Sequence, residues 1–525
     1  MVLSFQNGKW CCLGCFEEER IALLHLKEDI NFPNQMLLPS WVDYETKDGC
    51  CHWQGVECSN TTGRVIQLDL YGTRLEDWYL NASLFLPFQD LRNLSLANNN
   101  LIGWIENEGF DKLSKLKNLE ALDLSINSFD RNILLSLSQL SSLKHLNLQY
   151  IFRQGNTYSQ ERLSRLKKLQ VLDFRYNYGI KDSDILSILE LNDFISLKEL
   201  NIHGNQFRSF GTIYGLRNLK VLNLGSNAFN NNIFSSLQGL SSLESLFLYE
   251  NEIKGSAQIN ELYDLNDLVE LDLSRNEIEN FNTSKDIKTM HSLQVLYLDS
   301  IIVSNISNML QSLRAFPYLK NLYLRDYNLK RPIATIYELR HLSQLEGLFL
   351  DYSQLDTNFL RSIGVMTSLK FLSLHSCGLG GTLPNQVTLD LRENQFIGSI
   401  PQSIGNLSSL SIILLGRNHF EGTIPDQLCQ MQRLSMIDLS YNGLYGHIPQ
   451  CLGNITLGVR EVNSMTGYIR SFDFSMSTSY MDKVKLERAY HVSLQEMISV
   501  GSIGFEIIAE FTTKRNLYSY KGSIL

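Results

Sequence analysis

LRNLSLANNNL (residues 91–101), LEALDLSINSF (119–129), LKVLNLGSNAF (219–229), LESLFLYENEI (243–253) and LVELDLSRNEI (268–278) are copies of one pattern, L-x-x-L-x-L-x-x-N-x-L. Tracked outward, the Asn position falls at Thr73, Asn99, Asn127, Ile151, Asn177, Asn205, Asn227, Asn251, Asn276, Ile301, Tyr327, Ser353, Cys377, Asn394, Asn418 and Asn442. The L-x-L centre predicts a short strand whose leucines point inward while the intervening residues face solvent. One such coil cannot bury its leucines alone, so the coils must stack into a shared core. The Asn amide suits backbone groups that the turn leaves unpaired, and stacked coils can extend those bonds into a ladder. Ile151, Ile301, Tyr327 and Cys377 should loosen its rungs.

The mean step, about 24.6 residues, lies in the window of leucine-rich repeats. The expected fold class is an α/β repeat solenoid: a leucine-rich-repeat horseshoe or superhelix with a parallel concave β-sheet and an N-terminal helical cysteine cap. Residues 1–14 read as a remnant of a signal-peptide region, 15–63 as the cap, 64–458 as about sixteen repeats, and 459–525 as a non-repeat, truncated tail. The interval from Cys377 to Asn394 is shorter than the rest, as though a convex segment had been lost by deletion or at an exon boundary.

The 525 residues are 44% hydrophobic and 19% charged, enough apolar material for a core. The net charge of −9 is spread without a basic block, which argues against a nucleic-acid partner. No apolar run is long enough to span a membrane; the best, Met497 to Phe511, contains Glu506 and Glu510. Met1 to Cys15 is broken by Gln6, Asn7, Gly8 and Lys9, so an export signal is missing as written.

The cysteines are nevertheless placed as in an exported protein. Cys15, Cys50, Cys51 and Cys58 bracket a short segment, and Cys429 and Cys451 lie close together. Four N-terminal cysteines allow three pairings, which sequence alone leaves open; Cys15–Cys50 with Cys51–Cys58 is the expectation. A zinc site starting from Cys12-x-x-Cys15 is the competing reading. N-x-S/T acceptors at Asn60, Asn81, Asn93, Asn282, Asn305, Asn406 and Asn454 agree with export.

Glu17 to Ile30 reads as an amphipathic helix with acids in its first turn. Trp41 and Trp53 would supply apolar surface to the cap. Four late coils carry a Gly–Pro extension, at Gly381–Pro384, Gly398–Pro401, Gly422–Pro425 and Gly446–Pro449.

The cap (C-x-E-E-E-R-x-A-L-L from Cys15, Pro39-Ser40-Trp41, then Cys50 to Cys58), the repeat and the G-x-I-P extension together resemble plant leucine-rich-repeat receptor-like proteins. The resemblance covers roughly residues 15–525. Asp77 to Phe88 is similar to a large subgroup of these receptors, and Phe511 to Gly522 resembles the end of their non-repeat island. It implies recognition of an extracellular peptide, or of a pathogen- or parasite-derived molecule, at the outer face of the plasma membrane, with signalling through a partner receptor kinase. Membrane anchoring is expected only in the full-length relative, whose final repeats and membrane helix lie beyond the point where this sequence stops.

Down the concave sheet, the solvent-facing positions of repeats eight to twelve hold Phe247, Tyr249, Glu250, Arg275, Tyr297, Asp299, Tyr323, Arg325, Asp326, Phe349, Asp351 and Tyr352. The middle position is Asp or Asn in most other repeats, so Phe247, Tyr297, Tyr323 and Phe349 form an aromatic column flanked by charges. Exposed aromatics edged by Arg suit a binding hot spot; the alternative is that they pack on one another. His203 and His375 read as ordinary surface residues. No G-x-G-x-x-G, G-K-[ST], H-R-D or D-F-G is present, and an open face does not enclose paired carboxylates, so no enzyme, cofactor or metal site is expected. Two further readings stand beside the receptor: a soluble secreted inhibitor of cell-wall-degrading enzymes, and a non-functional truncated product.

Overall fold

The computed structural model describes residues 15–31, 38–42, 49–130, 132–152, 163–178, 194–209, 211, 216–281, 289–302, 306–329, 339, 341–355, 368–369, 371–381, 389–402, 404, 412–431, 434, 436–454, 505–513 and 516–524. It divides into two compact units, Met1–Leu319 and Lys320–Leu525.

The first unit opens with the helix Glu17–Asn31, which buries Ala22, Leu23, Leu26 and Ile30. Glu19 is buried too, because it finishes the sheet: its Oε2 accepts the Val65 N–H at 3.1 Å while Arg64 lies 3.5 Å from Oε1. Burial raises its carboxyl above the usual range. At the other end of the helix, Arg74 donates to the carbonyls of Asp29 and Ile30, where a cation meets the negative end of the helix dipole. Trp41 and Trp53 stack at 5.8 Å, and the Trp41 indole donates to Gln54 O. Disulfides join Cys15 to Cys50 and Cys51 to Cys58, each with Cα atoms 5.5 Å apart. Cys15 is therefore unavailable to a zinc ion; Cys12 lies outside the described residues.

From the cap, Val56–Cys58 pairs antiparallel with Val65–Asp69. Thereafter each coil adds one parallel strand to the inner sheet: Asn93–Ser95, Ala121–Asp123, His145–Asn147, Val171–Asp173, Glu199–Asn201, Val221–Asn223, Ser245–Phe247, Glu270–Asp272 and Val295–Tyr297. The central leucines of these strands, Leu94 to Leu296, are no more than 2% exposed, each stabilising the core by about 2 kcal/mol.

The Asn ladder is real and directional. In coil 3, Asn127 Oδ1 accepts the N–H groups of Asn99 and Leu101 in the coil before, while its Nδ2 donates to Leu96 O, Leu124 O and Ser125 O. Asn177 and Asn276 repeat the arrangement. The expected loosening is only partial at Ile151, Tyr327 and Cys377, because the following coil supplies a side-chain acceptor for the N–H of each. Ile151 still donates its N–H to Asn177 Oδ1 at 2.9 Å.

A second regularity escaped the sequence reading. The residue just before each Asn position sits in the left-handed region: Asn98, Ile126, Tyr150, Tyr176, Ser226, Glu250, Arg275 and Ser300 all have φ between 49° and 58°. From Asn98 to Arg275 their N–H groups bond to a carbonyl of the next coil, as Ile126 does to Gln149 O, so the ladder carries these corners round. A left-handed conformation costs a residue other than Gly about 1–2 kcal/mol, least for Asn. Ile126→Asn, placing there what coil 2 has at Asn98, should raise the urea midpoint by the equivalent of about 1 kcal/mol. An unchanged or lower midpoint would mean that packing of the Ile126 side chain outweighs its backbone cost.

The second unit repeats the inner sheet with Asn321–Tyr323, Gly347–Phe349, Phe371–Ser373, Leu389–Asp390, Ile412–Leu414 and Met436–Asp438. In the ladder, Ser353 Oγ accepts the Tyr327 N–H and donates to Leu324 O, and Cys377 Sγ donates to Leu350 O. A second parallel sheet, Gly380–Gly381, Gln395–Gly398, His419–Thr423 and Gly443–Tyr445, is built on the G-x-I-P copies. Gly398, Gly422 and Gly446 hold φ of 80°, 92° and 93°, which is why glycine stands there.

Across the short interval both sheets continue: Leu372 pairs with Leu389, and Asn394 Oδ1 accepts from Cys377 and Leu379. The chain between these paired strands runs through 382–388, outside the described residues, where the expected loss of a convex segment falls. Cys429–Cys451 joins the short helical turns Asp426–Gln430 and Gln450–Asn454. In the tail, Phe505–Thr513 and Asn516–Ile524 form an antiparallel hairpin, a regular element the sequence reading did not expect. Among the described residues no helix is long and apolar enough to cross a membrane.

Candidate functional site: the inner face of the coils

On the inner face the residue between the two leucines of L-x-L, the last of its strand, has a structural duty in most coils. Its side-chain oxygen accepts the N–H two residues on: Asp69 from Tyr71, Asp123 from Ser125, Asn147 from Gln149, Asp173 from Arg175, Asn201 from His203, Asn223 from Gly225 and Asp272 from Ser274. This Asx turn ends the strand and starts the corner, which explains the Asp/Asn preference. Phe247, Tyr297, Tyr323 and Phe349 each give that bond up.

The aromatic column, however, is not the exposed surface expected. In the first unit Tyr249 is 7% and Tyr297 5% exposed, and Phe247 is half-buried. Tyr297 donates its hydroxyl to Glu270 Oε1 at 3.0 Å. In the second unit Tyr323 is 2% exposed and stacked on half-buried Phe349 at 4.2 Å with the rings 7° apart, and the Arg325 guanidinium lies 5.5 Å from the Tyr323 ring centroid. Adjacent strands lie about 4.8 Å apart, so large rings in neighbouring coils cover one another instead of projecting. Asp351 is likewise buried, its Oδ1 accepting Ser373 Oγ and the His375 N–H, and burial raises its carboxyl.

What the inner face does offer to solvent comes from the left-handed corners. Glu250 and Arg275 in the first unit are exposed, with φ of 54° and 56°. Asp326 and Tyr352 in the second have φ of 63° and 59°, and Tyr352 is 55% exposed. The corner swings these side chains out of the packed row while the backbone stays bonded to the next coil: Glu250 N–H to Ser274 O, Arg275 N–H to Asp299 O. Half-buried Asp299 donates its N–H to Ser274 Oγ.

His203 was also misread. It is 6% exposed and bridges two tyrosines, Nε2 to Tyr176 Oη at 2.8 Å and Nδ1 to Tyr249 Oη at 2.9 Å. A neutral imidazole donates from one nitrogen and accepts at the other, so it meets both hydroxyls without charge. Burial pushes its pKa down to about 4. Two glycines make room for the rings: a Cβ on Gly204 would lie 2.3 Å from Tyr176, and one on Gly225 2.4 Å from Tyr249. Tyr150 stacks on Tyr176 at 4.6 Å, and Tyr178 sits edge-on to Tyr150 and tilted against Tyr176. The sequence signal was a glycine aligned with a tyrosine one coil away, visible only once the register is known.

The inner face of coils 1 to 5 forms a shallow groove of about 400 Å³, bordered by Asp69, Asn93, Asp123, His145 and Asp173. Asp173 is paired with Arg175 at 2.7 Å. Among the described residues no group of three or more His, Cys, Asp or Glu is placed to hold a metal ion. Of the N-x-S/T acceptors, Asn60 lies in an exposed turn, Asn81 Oδ1 accepts the Ser83 N–H, Asn93 is exposed on the inner sheet, and Asn454 ends a helical turn; Asn282, Asn305 and Asn406 lie outside the described residues.

The family described as "Leucine rich repeat N-terminal domain" matches residues 16–59, and "Leucine Rich Repeat" matches 387–407. Cuscuta receptor 1 of Solanum lycopersicum is 41% identical over 419 residues, covering 76% of this chain and 35% of its own length. Receptor-like protein 9a of Arabidopsis thaliana is 38% identical over 178 residues, covering 34% of this chain and 18% of its own. The chain thus spans about a third or less of these curated relatives. Among solved structures, the leucine-rich-repeat ectodomain of the Arabidopsis thaliana membrane receptor kinase GASSHO1/SCHENGEN3 is 27% identical, covering 84% of this chain and 57% of that one, with a TM-score of 0.42.

Proposed function

From a chain that is a leucine-rich-repeat relative of the plant receptor-like proteins, we propose the ligand-recognition region of a cell-surface receptor, facing the outside of the plasma membrane. Its ligand is an extracellular peptide or a pathogen- or parasite-derived molecule. As the likeness to receptor-like proteins implies, this region acts by binding and the signal passes to a partner receptor kinase. The observation that carries this reading is the exposed corner side chains within each unit, Glu250 and Arg275 in the first and, separately, Asp326 and Tyr352 in the second, each on a corner whose backbone N–H bonds to the next coil. A rigid base lowers the ordering cost of binding, and charged or aromatic side chains on it supply specificity. Phe247 and Phe349 lie half-buried beside these rows as apolar floor.

The name of Cuscuta receptor 1 suggests the first probe, a peptide fraction of Cuscuta extract. Saturable binding to the secreted chain is expected, and Glu250→Lys with Arg275→Glu should weaken it at least tenfold, the effect of about 1.4 kcal/mol. Binding that the double variant leaves unchanged would remove this row from the site.

A further inference from the structure

Asn93-Leu94-Ser95 is an N-x-S acceptor that lies within a strand of the inner sheet. On that strand Asn93 is in register with Gln67 on one side and Ala121 on the other. Its side chain is exposed, and Nδ2 donates to Gln67 Oε1 at 3.1 Å. It borders the groove of about 400 Å³ on the inner face of coils 1 to 5, and its neighbour in the row, Ala121, is a single methyl that leaves the space above coil 3 open. Sugar hydroxyls placed there would meet the carboxylates of Asp69, which accepts the Tyr71 N–H, and Asp123, which accepts the Ser125 N–H and the Asn147 amide; neither has a cation partner among the described residues.

We propose that Asn93 carries an N-linked glycan that lies in this groove and screens the inner face of coils 1 to 5 from protein ligands, leaving recognition to later coils. This rests on the export assumed under the proposed function. In the transfer, the amide nitrogen of Asn93 forms a bond to C1 of the first sugar of a lipid-diphosphate-linked oligosaccharide. The bond from C1 to the phosphate oxygen breaks, the lipid diphosphate leaves with the bonding pair, and the amide gives up one proton. The reaction acts on the chain before it folds, so the half-buried Ser95 is no obstacle.

The test is glycopeptide mass spectrometry on the full chain passed through the secretory pathway of a plant cell, with Asn60 and Asn81 as internal references. The expected result is glycan mass at Asn93, lost in Asn93→Gln and in Ser95→Ala. In Ala121→Cys, the thiol should react slowly with a bulky maleimide until an endoglycosidase removes the glycan. Glycan at Asn60 or Asn81 but not at Asn93 would overturn this proposal and leave export standing. No glycan at any of the three would overturn export, and the screening with it. Glycan at Asn93 without any change in labelling at position 121 would show that the groove stays open, contradicting the screening.

Discussion

Asn127→Ala is expected to cost about 3–4 kcal/mol, far more than an average polar substitution. The wild-type amide satisfies two N–H groups of the preceding coil and donates to three carbonyls, all within a buried seam. Alanine leaves the N–H groups of Asn99 and Leu101 buried without their acceptor, at about 1–3 kcal/mol for each unmet group. Asn118→Ala serves as the control, because the exposed Asn118 amide donates to Gln89 O at 3.2 Å and should cost about 1 kcal/mol or less. Urea unfolding gives the total. Hydrogen exchange gives the location: protection should fall at Asn99 and Leu101 and persist around Asn276, since each coil contacts only its neighbours. Equal costs for the two variants would refute the ladder as a source of stability.

The second large effect is a pH dependence at His203. The folded pKa, pushed down to about 4 by burial, lies below the ordinary value near 6.5, so the unfolded chain takes up the proton first. The stability this residue contributes is present above about pH 6.5 and is lost as the pH falls toward 4, amounting to roughly 3 kcal/mol across the window. Asp272 works in the opposite sense: burial raises its carboxyl to about 7, so it adds stability as the pH falls through that range. The raw curve of the protein therefore hides the effect, and the difference between wild type and His203→Gln exposes it. Gln can bond both tyrosine hydroxyls but does not titrate. Wild type should lose stability relative to the variant between pH 7 and 4; parallel curves would contradict the buried bridge. Gly225→Ala, by pushing the Tyr249 ring off its neighbour, should move the His203 titration back toward the ordinary imidazole value, readable by NMR.

These two sites mark what the sequence could and could not disclose. The leucines, the Asn seam, the helix start at Glu17 and the cysteine brackets are local, periodic signals, and the coils fall where the spacing puts them. The aromatic column was assigned to the right positions but to the wrong environment. Whether Tyr249 projects or lies flat depends on Gly225 in the coil before it and on His203 in the coil before that, a relation across coils that one repeat does not contain. The Asp/Asn preference between the two leucines was visible as a pattern; its cause, the Asx bond to the corner, needs the backbone. The exposed candidates Glu250, Arg275, Asp326 and Tyr352 share a left-handed φ that no residue type announced. Tyr150, Tyr176 and Tyr178 went unremarked because they flank the Asn positions of two successive coils and meet only in space.

The most direct test of recognition by the inner face is hydrogen–deuterium exchange on the secreted chain with and without the bound Cuscuta peptide fraction. Recognition at the exposed corners predicts slowed exchange in peptides spanning residues 245–252 and 270–277, with the cap helix Glu17–Asn31 unchanged. Slowed exchange confined to the cap, or none in those two strands at saturating ligand, would contradict it.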